Sequence, residues 1–142
     1  MYGNDRAEMR EVFFRAWRHY RENLPLEGVE KVVVDVAREH PEYQALLETG
    51  SGDRDYLPEL GESNPFLHMG LHVAIAEQLA IDQPPGVRRC YQQLRERLPD
   101  AHAVEHAMME CLGETVWRAA REQRVPDQAA YLRCLDRLAR RA

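Results

Sequence analysis

Residues 64–86 read "NPFLHMGLHVAIAEQLAIDQPPG", and the reading of this stretch decides the fold. Asn64 is a residue that caps a helix with its side chain, and Pro65 suits the first helical position. "DQPPG" stops the helix near Ile81. At 3.6 residues per turn, His68, His72, Ile75 and Leu79 project within a wedge of roughly 60°, with Glu77 on the far side. The periodicity is that of an amphipathic helix. Its two histidines continue the apolar stripe, so the spacing predicts that they point inward.

The same alternation of helix pattern and stop signal runs in both directions. Upstream, Met9, Val12, Phe13, Ala16, Trp17 and Tyr20 are helix-spaced between Asp5 and Leu24, and Pro25 follows. A second helix is expected from about Leu26 to His40, with Val29, Val33, Val36 and His40 on one stripe, because Pro41 disfavours helical geometry in the residue before it. "PEYQALLE" adds a turn or two. Downstream, a helix from about Pro85 to Leu98 carries Val87, Tyr91, Leu94 and Leu98. Asp100 caps another that runs to about Gln123, and Pro126–Asp127 opens the last, with Tyr131, Leu135 and Leu138 inward. The valine run "KVVVDVA" is β-branched, but its neighbours keep the helical period. The expectation is an all-α, single-domain bundle of about six helices over residues 1–142, with 50–64, "GSGDRDYLPELGES" and Asn64, as one long loop.

Composition narrows the functional classes. The 142 residues are 44% apolar and 30% charged, a globular profile. A net charge of −5 removes any overall electrostatic case for nucleic acid. The arginine-rich end, "RCLDRLARRA", reads as the charged face of an amphipathic helix. Cys90, Cys111 and Cys134 are widely spaced and odd in number, which argues against a disulfide framework or a zinc ribbon. With no basic start ahead of an apolar stretch and no long apolar run, the expectation is a reduced, cytoplasmic protein that does not enter the membrane. Tryptophan and leucine positions on the terminal helices would suit a homodimer.

A second histidine pair makes the first informative. "DAHAVEH" (residues 100–106) again places two histidines four apart just after a cap. His102, His106, Met109, Gly113, Val116 and Ala120 share one projected stripe, and Glu105 lies beside it. In an antiparallel bundle both pairs start at the same end, and His40 closes its helix there too. Histidines at i and i+4 can chelate one ion from one helix face, and four imidazoles suffice for a tetrahedral site. The candidate ligands are His68, His72, His102, His106 and His40, with Glu105 as ligand, tautomer-fixing acceptor or general base. The implied cofactor is a divalent transition metal, iron or zinc first. His19, on the polar side of its helix, is left out. The competing reading is a structural or partner-binding helical protein whose histidines satisfy one another in an internal hydrogen-bond network. A third is a small metallohydrolase, because "HAVEH" matches the HxxEH pattern in which the glutamate is the base. Nothing here names a substrate. The 50–64 loop leaves from the histidine end, so a lid bringing Tyr43 and Tyr56 near the site is expected.

The stretches "LPLEGVEKVVVDVAREHPEY", "NPFLHMGLHVAIAEQLAIDQPPG" and "HAVEHAMMECLGETVWRAA" resemble the bacterial family called domain of unknown function 1841. The likeness extends over almost the whole chain and implies a small cytoplasmic protein, but it brings no reaction. A looser likeness, of architecture only, is to hemerythrin-type and ferritin-like bundles. The chain departs from that pattern: Gln44, not Glu, stands four residues after His40, and no inward Glu-x-x-His pair occurs.

Overall fold

The structure, a computed structural model, describes residues 2–49 and 64–140. The expected loop, Tyr56 included, lies outside the described residues except for Asn64. Seven helices form among those residues: α1 (Tyr2–Arg21), α2 (Val29–Glu39), α3 (Pro41–Thr49), α4 (Pro65–Ile81), α5 (Val87–Arg95), α6 (Ala101–Glu122) and α7 (Gln128–Arg140). The all-α expectation holds. The count exceeds six because Pro41 opens a helix of its own, α3, rather than ending one with a loose turn. Contacts divide the chain into two compact units, Met1–Val73 and Ala74–Ala142.

In the first unit α1, α2 and α3 pack against one another. The stripe predicted on α1 is buried at Phe13, Ala16 and Trp17, while Tyr20 is left exposed. Val33, Val34, Val36 and Ala37 of α2, Leu47 of α3, and Phe66 and Met69 of α4 complete this core. Phe66 meets Phe13 at 6.0 Å and the edge of Phe14 at 5.8 Å between ring centroids. The buried Arg10 guanidinium lies 4.5 Å from the centre of the Phe66 ring, a cation–π contact. One polar cluster ties α1 to α2. The buried Glu30 carboxylate accepts from Arg15 Nε at 3.2 Å and from the Glu27 backbone N–H at 3.3 Å, with His19 Nδ1 at 3.2 Å. His19 therefore has a structural partner, consistent with leaving it out of the candidate ligands.

The second unit holds the end of α4 with α5, α6 and α7. Its buried residues include Ile75, Val87, Leu94, Val104, Met108, Tyr131 and Leu135. The Tyr131 hydroxyl donates to Gln78 Oε1 at 2.6 Å. Helix ends are closed as the stop signals imply. Arg88 donates to the Leu79 and Ala80 carbonyls at the end of α4, at 2.7 and 2.6 Å. Asp100 caps α6 and Asp127 caps α7, each accepting from the N–H three residues on.

Two expectations are corrected in this unit. Cys111 and Cys134 form a disulfide that joins α6 to α7, and only Cys90 is free. Spacing along the chain gave no sign of it, because the pairing depends on two helices lying side by side, with Cα atoms 5.8 Å apart. The buried residues of α6 are Val104, Met108, Met109, Cys111, Leu112, Thr115 and Ala119, and apart from Met109 they form one stripe. It lies roughly 130° round the helix axis from the stripe that carries His102 and His106. Val116 and Ala120, expected inside, are exposed. Of the projected stripe Met109 is buried and His102, His106 and Gly113 are half-buried, so the expectation holds toward the start of α6 and fails at its far end. Trp17 is buried, whereas Trp117 is 58% exposed.

Truncating Leu135, fully buried, to alanine is expected to cost about 2–5 kcal/mol in urea unfolding. Val125→Ala, on an exposed side chain, is expected to stay within about 0.5 kcal/mol. Equal costs would contradict this core.

The Glu30 cluster predicts a pH dependence. Desolvation pushes its carboxyl up, but the Glu27 N–H, Arg15 and His19 more than offset this, and its pKa lies below the ordinary 4.5. Because the folded value is the lower one, the cluster stabilises fully above the ordinary carboxylate range and is lost as pH falls through the folded value. The urea midpoint of the wild type should therefore fall more steeply below about pH 4.5 than that of Glu30→Gln. Identical acid slopes would show that Glu30 is not the group responsible.

Candidate metal centre

The centre begins with a chain reversal. Pro41 keeps His40 out of helical geometry, so α2 ends at Glu39 and His40 sits at the corner with φ −128° and ψ 76°. Its N–H still bonds to the Ala37 carbonyl at 3.2 Å, and Gln44 Nε2 donates to the same oxygen at 3.1 Å. The corner is thus fixed from both sides, and the His40 ring, 9% exposed, is turned inward. The absence of Glu at position 44, noted against the di-iron pattern, has a structural use: the amide closes α2.

Asn64 and Pro65 start α4 as expected. Asn64 Oδ1 accepts from the N–H groups of Phe66 and Leu67 at 3.0 and 3.1 Å. His68 and His72 follow on successive turns, and His72 is 1% exposed. Their rings meet that of His40. His68 Nε2 lies 3.2 Å from His40 Nε2 and 3.2 Å from His72 Nε2. The ring centroids are 4.6 Å apart for His40 and His68, 4.8 Å for His68 and His72, and 5.4 Å for His40 and His72. Within the first unit, three of the histidines singled out in the sequence are therefore brought together.

Two neighbours shape this trio. Glu42 Oε1 lies 3.1 Å from His40 Nδ1. The carboxylate accepts there, which places a proton on Nδ1 and leaves Nε2, 3.2 Å from His68 Nε2, as the nitrogen open to a ligand role. Tyr43 stacks on His40, with centroids 5.0 Å apart and planes at 19°, and meets the edge of His68 at 5.8 Å. Burial raises the Tyr43 pKa above its ordinary value, and the charge of Glu42 adds to the effect. Tyr43 was expected within reach of the histidines. Glu42 was not foreseen; the signal available was only its place two residues after His40, at the start of a helix that Pro41 opens.

In the second unit, Asp100 Oδ1 accepts from the Ala103 N–H at 2.8 Å and starts α6, as its sequence suggested. His102 and His106 occupy its first two turns, half-buried, with ring centroids 4.1 Å apart. Glu105 is half-buried beside them and Glu110 is exposed.

The chemistry open to the trio follows from its spacing. Two imidazole nitrogens each about 2.0–2.1 Å from one tetrahedral ion stand about 3.3 Å apart. The two separations of 3.2 Å are of that size. They are also of hydrogen-bond length, but one Nε2 offers a single lone pair or a single proton to two neighbours, so a linear bond to both is not available. A cation shared by the three lone pairs satisfies all of them at once. This donor set, neutral nitrogen with carboxylate support behind it, suits zinc, iron, nickel or copper rather than calcium or magnesium.

Neither a curated protein nor a solved structure matches this chain. The profile described as "Domain of unknown function (DUF1841)" matches residues 5–137, nearly the whole chain, and the chain belongs to that family.

Proposed function

We propose that this is a metal-binding protein whose histidine-rich centre holds a divalent transition metal, zinc or iron, with His40, His68 and His72 as ligands. The observation that carries the reading is the convergence of three buried or half-buried Nε2 atoms at ligand-like spacing. His106 is the proposed fourth ligand, from a helix whose first turns repeat the pattern of α4. His102, its ring packed on His106, is a fifth donor. Glu105 is a ligand, an acceptor that orients an imidazole, or the base of a metallohydrolase. The net charge of −5 gives no overall electrostatic case for nucleic acid, and no helix among the described residues is long and apolar enough to cross a membrane. Cytoplasmic location and a homodimer belong to the same proposal.

A specific observation favours a second reading, in which the histidines form a purely structural network. No buried side-chain nitrogen or oxygen among the described residues is without a hydrogen-bond partner. The two readings differ in measurable ways. Protein purified without a histidine tag or chelator is expected to carry about one equivalent of zinc or iron per chain by elemental analysis, two if carboxylates bridge a second ion. A visible absorption band would assign iron; a colourless equivalent, zinc. The double variant His72→Ala/His106→Ala should lose stoichiometric metal. Absence of metal, with no uptake when zinc or iron is supplied near neutral pH to the folded wild type, would leave the network reading in its place.

The Glu42 contact yields a graded prediction. Its side chain is 60% exposed, so Glu42→Gln is expected to weaken metal affinity by about tenfold, the lower end for a carboxylate that orients a ligand histidine. Competition against a chromophoric chelator measures it. Unchanged affinity would mean that Glu42 does not set the His40 tautomer.

A further inference from the structure

The disulfide in the second unit is surrounded by cations. A cleft of about 170 Å³ between α6 and α7 is lined by both cysteines and by Arg118, Arg124, Arg133 and Arg137, with Glu114 and Asp127 as its carboxylates. Both cysteines line the cleft; Cys111 is 1% exposed and Cys134 is half-buried, so Cys134 is the less buried partner. Arg118 is paired with Glu114 at 2.8 Å, and Arg124 with Glu122 at 2.7 Å. Arg133 and Arg137, one turn apart on α7 and flanking Cys134, make no ion pair among the described residues. Both are exposed.

We propose that Cys111–Cys134 and its arginine cluster form a thiol–disulfide exchange site for small anionic thiols. This site shares no residue with the histidine centre, and neither proposal depends on the other. The arginines raise the local concentration of an anionic thiol and stabilise the sulfur anions that form. The thiolate of the incoming molecule bonds to Sγ of Cys134, the less buried cysteine. The Cys111–Cys134 bond breaks and its electron pair leaves on Cys111 Sγ as a thiolate. A second external thiolate then attacks the external sulfur of the mixed disulfide and displaces Cys134 as a thiolate. The protein gains two electrons, two external thiols become one external disulfide, and the two protons those thiols gave up to solvent return to the two cysteines.

The test compares 2-mercaptoethanesulfonate with 2-mercaptoethanol, which share the mercaptoethyl group and differ in charge. Initial rates of disulfide opening are followed on the folded protein by alkylation of released thiols, with circular dichroism confirming that the helices persist. The sulfonate is expected to react at least about tenfold faster at low ionic strength, the lower end of electrostatic steering into a charged cleft. The advantage should shrink toward unity near 1 M salt, where the screening length is about 3 Å. Early mixed disulfide should be found by peptide mass spectrometry on Cys134 rather than Cys111. In Arg133→Gln/Arg137→Gln the sulfonate should lose most of its advantage, its rate falling by a larger factor than that of 2-mercaptoethanol, whose only charge is the thiolate. Equal rates of the two thiols with the wild type at low salt would overturn the proposal without reference to any variant. So would a folded protein whose disulfide neither thiol opens, or an anion preference that survives the double substitution.

Discussion

The pyrrolidine ring of Pro41 excludes helical geometry at His40, and the histidine centre depends on that exclusion. Had α2 continued, His40 would lie mid-helix with its carbonyl and N–H spent on the helical ladder. Instead the chain turns, α3 starts one residue later, and both helices lie against α1. The corner is closed by ordinary backbone chemistry, the His40 N–H and the Gln44 amide both bonding to the Ala37 carbonyl. The side chain at a fixed corner is itself fixed. An imidazole held this way loses little further freedom when it binds a ligand, which is what preorganisation of a metal site requires.

α4 supplies the other half of the trio by a different device. Asn64 and Pro65 set where the helix begins, and the repeat of 3.6 residues places His68 and His72 on one face with Phe66, Met69 and Ile75 buried nearby. The same helix therefore contributes hydrophobic core and polar centre from adjacent positions. A buried imidazole is costly unless each nitrogen has a partner. His68 Nε2 stands 3.2 Å from the Nε2 atoms of both His40 and His72, and Glu42 accepts at His40 Nδ1.

The second unit shows where reading along the chain loses its power. Its helix ends were legible because caps and stops are local: Asp100, Asp127 and the Gln83–Gly86 turn act within a few residues. Which face of α6 is buried was not legible. Val104, Met108, Leu112 and Ala119 on one side compete with Gly113, Val116 and Ala120 on another, Met109 is buried as well, and neither arc is polar enough to be excluded. The buried arc also includes Cys111, bonded to Cys134, and Thr115, whose hydroxyl donates to the Cys111 carbonyl at 2.8 Å. Both residue types look neutral in a projection and are committed only by their partners.

The sequence by itself determined the all-α class, most helix boundaries, the corner at His40 and the i, i+4 placement of His68 and His72. Each follows from interactions reaching no further than one or two turns: proline sterics, side-chain caps and the helical period. Only the tertiary structure decided that His40 meets His68 across 28 positions of chain, that Glu42 rather than a more distant carboxylate supports that ring, and that Cys111 and Cys134 are joined. Those outcomes depend on how whole helices pack, which is set by the summed burial of many side chains rather than by any local spacing.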